Sequence, residues 1–209
     1  MDDLGSLARP PARPSARPPA APLAALLDGL LARYREPHRH FHTEAHVLAV
    51  VSALMDASAV ARLAGWYHDA VYDPTGTSNE EQSATLARAD LASLGVPPAT
   101  CERVASLVLV TRTHRPDPGD PDAVALCRAD LGILAASPAG YAAYVAAVRA
   151  EYSHVDDAGW AAGRGAFLSG MLARDRIVPG SGPAGDDPLE RAARSNLTAE
   201  LDGLAGPRP

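Results

Sequence analysis

The chain has 209 residues, 47% of them apolar but only 5% aromatic, with a formal net charge of −6 and a pI near 5.6. That length suits one domain with tails, and that apolar content suits a packed core. The acidic balance leaves no basic footprint for nucleic acid or anionic membrane. All 19 basic residues are arginine, which excludes P-loop chemistry and lysine Schiff bases.

Alanine is abundant and aromatics are scarce, a composition that favours closely packed helices over a sheet. Cys101 and Cys127 stand apart from any partner motif and read as reduced thiols, not as a disulfide frame or a zinc knuckle. No apolar run approaches the length of a membrane span. The first twenty residues hold several Pro and Arg and no continuous apolar stretch, so no secretory signal is expected and the expected location is the cytoplasm.

Residues 1–21 are rich in Pro, Ala and Arg and are expected to form a disordered arm. The folded domain is expected over residues 22–178. A first helix opens at Pro22, carries Leu23, Leu26, Leu27, Leu30 and Leu31 on one stripe, and stops before Pro37. A second begins near Thr43 and carries His46, Val47, Val50, Val51 and Leu54. Ser58 caps a third that runs to the turn Tyr72-Asp73-Pro74, and a fourth spans Asn79–Leu94, with Glu80 and Glu81 in its first turn and Gly95 as its stop. Further helices are expected over Pro98–Thr113, Asp122–Leu134, from Ser137-Pro138 to about Tyr152, and over Asp156–Arg174. Beyond Pro179 Gly, Pro and Asp dominate, so residues 179–209 are expected to be a largely disordered tail with at most a weak helix at 189–204. The expected architecture is all-α, a single bundle of seven or eight helices.

Five of the seven histidines crowd into Glu36–Asp73: His38, His40, His42, His46 and His68. His42 and His46 are four apart and share one helix face. His68 is followed at once by Asp69. Imidazole and carboxylate together suit Zn, Fe, Mn, Co or Ni, so this stretch is expected to supply most of a site for a divalent transition metal.

The order His…His-Asp…Asp in a helical protein resembles the HD superfamily of metal-dependent phosphohydrolases. The matching residues are His46, His68-Asp69 and a later lone acid, Asp130, in Arg128-Ala-Asp130-Leu-Gly-Ile. The wording of Glu36-Pro-His-Arg-His-Phe-His42, His68-Asp69-Ala-Val-Tyr-Asp73-Pro74, Asn79-Glu80-Glu81, Thr111-Arg-Thr-His114, Ala129-Asp130-Leu131 and Val148-Arg149-Ala-Glu151-Tyr152 also resembles a bacterial group of predicted metal-dependent HD phosphohydrolases. The resemblance covers Leu23–Val178. It implies a phosphodiesterase-like helical bundle in which His46, His68, Asp69 and Asp130 bind the metal. It also implies a metal-activated water as nucleophile, a small phosphomonoester or phosphodiester (a nucleotide included) as substrate, and a nearby imidazole, here His42, as the acid for the leaving group.

A different class of protein fits the same resemblance, namely a non-catalytic HD-fold module that binds metal or nucleotide in a regulatory role. Within the site, His42 as ligand with His46 beside it is the alternative assignment. The Phe-His42…His46 spacing is similar to that of cyclic-nucleotide phosphodiesterases, in which the second histidine binds metal and the first donates a proton, although Thr43 stands where that pattern has Asn. His38 and His40 read as solvated, and Asp73 as a turn residue. Glu80 and Glu81 read as helix-dipole acids with a possible role in ordering water or a ligand histidine. His114 reads equally as a surface histidine or as a helper at a second metal. Arg149 and Glu151 read as surface charges, with Arg149 the one of the two that could reach a substrate phosphate. Neither subunit number nor a protein partner is legible.

Overall fold

The computed structural model describes residues 20–180 and 182–205, and every regular element within them is a helix. The expected arm lies outside these residues except for its last two, which open α1 (Ala20–Tyr34). Five further helices follow: α2 (Glu44–Ala53), α3 (Ala59–Tyr67), α4 (Asn79–Ser93), α5 (Pro98–Val110) and α6 (Pro121–Asp130). After a 3-10 turn at Leu131–Ala135 come α7 (Pro138–Glu151) and α8 (Asp157–Leu172), then a short 3-10 turn and α9 (Pro188–Ala205). Nine α-helices among the described residues are therefore one or two more than expected.

Helix α3 is the central element, packed against α2, α4, α5 and α6. Small residues make that possible. Ala61, Ala64 and Gly65 of α3 are fully or almost fully buried. A Cβ on Gly65 would lie 2.8 Å from Leu54 Cδ1 of the following turn after α2, so glycine is what lets these two elements approach. Local capping chemistry fixes the helix starts. The side chains of Ser58, Asp120, Ser137 and Asp156 each accept a backbone N–H in the first turn of α3, α6, α7 and α8. Thr43 takes the cap position of α2 but makes no such bond.

Two apolar clusters result. One joins α1 to α6 around residues such as Tyr34, Val47, Tyr67 and Leu107; the other joins the 3-10 turn, α7, α8 and α9 around Leu134, Tyr144, Leu168 and Leu197. Phe41, in the loop before α2, packs into the second cluster and so stitches the two together. Cys101 and Cys127 are both buried free thiols. No single helix among the described residues is long and apolar enough to cross a membrane.

The expected weak helix in a disordered tail is instead a full helix docked on the core. Leu189, Ala193, Leu197, Leu201 and Leu204 recur every three or four residues and line one face of α9. Polar anchors add to this. Glu190 is buried and accepts the backbone N–H groups of Ile177 and Val178. The Asn196 amide donates to the carbonyls of Leu134 and Ala136, both at 2.9 Å, and Glu200 pairs with Arg164 of α8 and accepts from Tyr141 of α7. The loop before it is pinned as well, because Asp187 holds both Arg128 and Arg176. The Gly, Pro and Asp residues of 182–188 thus mark an ordered connection.

Two helices end earlier than the apolar pattern suggested. α5 stops at Val110, and the next residues form a turn in which His114 adopts a left-handed backbone with φ 49°. α6 stops at Asp130 and tightens into the 3-10 turn. Both early stops present a histidine or an aspartate at a helix end.

Leu197→Ala tests the docking of α9. Truncating this fully buried side chain is expected to cost about 2–5 kcal/mol in urea unfolding, whereas a change below about 0.5 kcal/mol, the range of surface substitutions, would mean that α9 does not sit on the core.

Candidate metal centre

The four residues singled out by the His…His-Asp…Asp order come together at the seam between the two clusters. His46 lies on α2, His68 and Asp69 follow α3, and Asp130 ends α6. One donor atom from each lies within 4.8 Å of every other, an arrangement that could hold a metal ion. His68 Nε2 is 2.9 Å from Asp69 Oδ2, His46 Nε2 is 3.2 Å from Asp130 Oδ1, and the two imidazole Nε2 atoms are 3.1 Å apart. His68 Nδ1–H donates to the carbonyl of Gly65 at 2.8 Å, which turns Nε2 toward the cluster. The close packing at Gly65 and the orientation of a donor histidine thus arise at one residue.

The electrostatics explain why this cluster wants a cation. Both imidazoles are buried, and burial opposes their charge, yet the carboxylates of Asp69 and Asp130 outweigh it and hold both above the usual histidine value. Burial likewise opposes charge on Asp69 and Asp130, but His68 and the neighbouring imidazoles hold both well below the usual carboxylate range. Two buried carboxylates that stay ionised need a positive partner. A divalent ion on the four donors fits that need, and a mixed nitrogen and oxygen set suits Mn, Fe, Co, Ni or Zn.

Around the donors runs a set of side chains that fix them. His114 Nε2 lies 2.7 Å from Asp130 Oδ2, so the histidine in the left-handed turn holds the outer oxygen of that carboxylate. His42 is not among the four donors. Its Nδ1 is 2.8 Å from Glu151 Oε2, its ring stacks on Tyr72 at 4.1 Å between centroids, and its Nε2 has no partner among the described residues.

Glu151, expected on the surface, is buried at the end of α7. Its Oε1 accepts the backbone N–H groups of His40, Phe41 and His42 at 2.8–2.9 Å, and its Oε2 accepts from His42 and the Tyr72 hydroxyl. Burial alone would raise its pKa, but the bond from His42 and the three backbone donors hold it down at about 2. Arg39 is a second unexpected anchor. Its buried guanidinium donates to the carbonyls of His42, Asp69 and Ala70 and pairs with Glu36, tying the His42 loop to the Asp69 turn.

The remaining expected residues lie as follows. Arg149 is turned away from the site, held by the carbonyls of Tyr152 and Val155 and by Asp157, and stacked on Trp160. Glu81 pairs with Arg112, Glu80 lines the cavity, and neither bonds a donor histidine. His38 bonds the carbonyl of Tyr72, and Asp73 accepts from Thr75 in the turn expected of it.

Asp69 and Asp130 open onto a cavity of about 1040 Å³, ample for a small-molecule ligand. One wall is apolar and aromatic, with Phe41, Tyr144, Trp160 and Phe167. The other is polar, with Thr77, Asn79, Glu80, His114 and Arg115. Compared with protein-family models, with curated proteins and with solved structures, the chain gives no match.

The pKa of Glu151 sets a pH-dependent stability. Its folded value lies below the ordinary 4.5, so the stabilisation is complete above that pH and is lost as pH falls toward about 2. Glu151→Gln is expected to destabilise the protein by about 3 kcal/mol at neutral pH, and the deficit should shrink between pH 4.5 and pH 2 in urea titrations. A deficit that stays constant on acidification would show that no charged clasp exists there.

Proposed function

We propose that this protein is a metal-dependent phosphohydrolase of the HD type, acting on a phosphomonoester or phosphodiester of a small molecule, with nucleotides among the candidates. The observation that carries the reading is the convergence of His46, His68, Asp69 and Asp130 within 4.8 Å beside a large cavity. A divalent ion on these donors supplies Lewis acidity toward a phosphoryl oxygen and lowers the pKa of a coordinated water.

The chain's own residues supply positioning and proton transfer. His114 holds Asp130 from behind, and Gly65 holds His68, so the donor set is oriented before anything binds. Glu151 accepts from His42 Nδ1–H and fixes the ring against Tyr72. His42 Nε2, which has no protein partner, then gives its proton to the leaving oxygen as the P–O bond breaks. The aromatic wall excludes water from the organic part of the substrate.

Elemental analysis of purified protein, followed by hydrolysis of bis(p-nitrophenyl) phosphate and p-nitrophenyl phosphate on the same sample, tests the reading. The expected result is near-stoichiometric transition metal with turnover of one ester, and loss of both in Asp69→Ala. His42→Ala is expected to keep its metal and lose about 10²–10⁴-fold in kcat. Metal-loaded protein that turns over neither ester nor a panel of nucleotides would replace the enzyme with a non-catalytic module that binds metal or nucleotide.

A further inference from the structure

The polar wall of the cavity carries two guanidinium groups that the donor cluster and the proton-transfer residues do not use. Arg115, exposed in the turn after α5, lines the cavity and makes no hydrogen bond or ion pair with any described residue. Arg174, just beyond α8, lines it too. Arg174 donates to the carbonyls of Thr113 and His114 at 3.1 and 3.4 Å, and its Nε–H is buried with no partner among the described residues. No carboxylate of the described residues lies within 4.0 Å of either group, although Asp69, Asp130 and Glu80 line the same cavity. The neighbouring arginines contrast with this pair, because Arg112 is matched to Glu81 and Arg164 to Glu200.

An uncompensated pair of like charges is costly, and its cost is visible here: burial together with the charge of Arg115 holds the Arg174 guanidinium below its ordinary value. The cost is compounded by the left-handed backbone of His114, the residue before Arg115, a conformation that non-glycine residues adopt at an energetic penalty. Arg174 holds that strained turn by two of its carbonyls, and the same turn delivers both His114 to Asp130 and Arg115 to the cavity. An acidic protein that keeps two unmatched guanidinium groups on one cavity wall has a place prepared for a negative group from outside. Guanidinium recognises an oxyanion through paired N–H donors, and the exposed guanidinium of Arg115 has all of its donors unused by the described residues.

We infer that Arg115 and Arg174 form an oxyanion subsite, and that the substrate carries a second anionic group, phosphate or carboxylate, besides the phosphoryl group at the metal centre. This rests on the reading of the cavity as the substrate site of a phosphohydrolase. It narrows the substrate from any small phosphoester to one with two acidic groups joined by a spacer, whose organic part faces the aromatic wall. A simple alkyl or aryl monoester fills only the metal end.

The test is calorimetric binding of probe anions to protein loaded with Mn²⁺, with metal content measured on each sample. Methylphosphonate is compared with diphosphonates bridged by one, two and three carbons, and with phosphonocarboxylates of matching length. The wild type is expected to bind at least one doubly anionic probe about tenfold more tightly than methylphosphonate, and Arg115→Gln to lose most of that preference at unchanged metal content. Chelation of Mn²⁺ by the probes is common to both proteins, so the difference between them is the readout. Arg115 is exposed, and an unchanged unfolding midpoint confirms an intact fold. Arg174→Lys, which keeps the charge but not the fork, is expected to lose part of the preference.

The better-bound length and acid class identify the second group as phosphate or carboxylate. A wild type with no preference for two anions, or a preference that survives Arg115→Gln, overturns the subsite whatever the metal content. A protein that takes up no metal but still shows an Arg115-dependent preference upholds the subsite while removing the hydrolase reading.

Discussion

Two carboxylates and two imidazoles meet at the seam between the two apolar clusters, and most of the polar architecture follows from what that meeting requires. Asp69 and Asp130 remain ionised although largely enclosed, which is tolerable only with compensating positive charge close by. The imidazoles supply part of it, and the four donors are close enough together to hold a metal ion that would complete it. The donors come from three separated stretches of chain, so the fold has to hold α2, the turn after α3 and the end of α6 in register within a few tenths of an ångström.

Two buried charged side chains supply that register. Glu151 gathers three successive backbone N–H groups of the loop before α2, and Arg39 of that loop reaches the carbonyls of the Asp69 turn. Each satisfies backbone groups that a buried loop would otherwise leave unpaired. This loop places His42 beside the donors without including it among them. The small buried residues of α3 complete the frame by letting α2, α4, α5 and α6 pack closely around it.

The all-α fold was legible because Ala, Leu and Val recur at helical spacing and Ser, Asp and Pro mark the starts. The crowding of histidines before and beside Asp69 made a metal site in this stretch legible from its chemistry, whereas the full donor set, with Asp130 above all, was implied by the resemblance of the His…His-Asp…Asp order to the HD superfamily. Glu151 was not legible. A lone acid in the last turn of an amphipathic helix looks like a solvated charge, and its partners are backbone groups about 110 positions away in sequence, which carry no side-chain signal. Arg39 was hidden in the same way among the polar residues of its loop. Helix α9 was partly legible, since its apolar stripe is regular, but the Gly, Pro and Asp residues before it argued for disorder. The ion pairs of Asp187 that make that connection rigid depend on Arg128 and Arg176, whose positions only the folded chain reveals. Arg149 failed in the opposite sense, a plausible phosphate ligand by type that the geometry spends on capping its own helix end.

The pairing of Glu200 with Arg164 bears on how the protein is made. Arg164 stands in the cavity wall, stacked over Tyr144, Trp160 and Phe167, and its counter-charge comes from the last helix. During synthesis, α1 to α6 can bring all four donors together while α9 is still inside the ribosome. The aromatic chamber beside them stays unbalanced until residue 200 emerges. The donor cluster and the balanced aromatic wall are thus completed at different times along a nascent chain, and a product cut short before α9 would lack the counter-charge of Arg164.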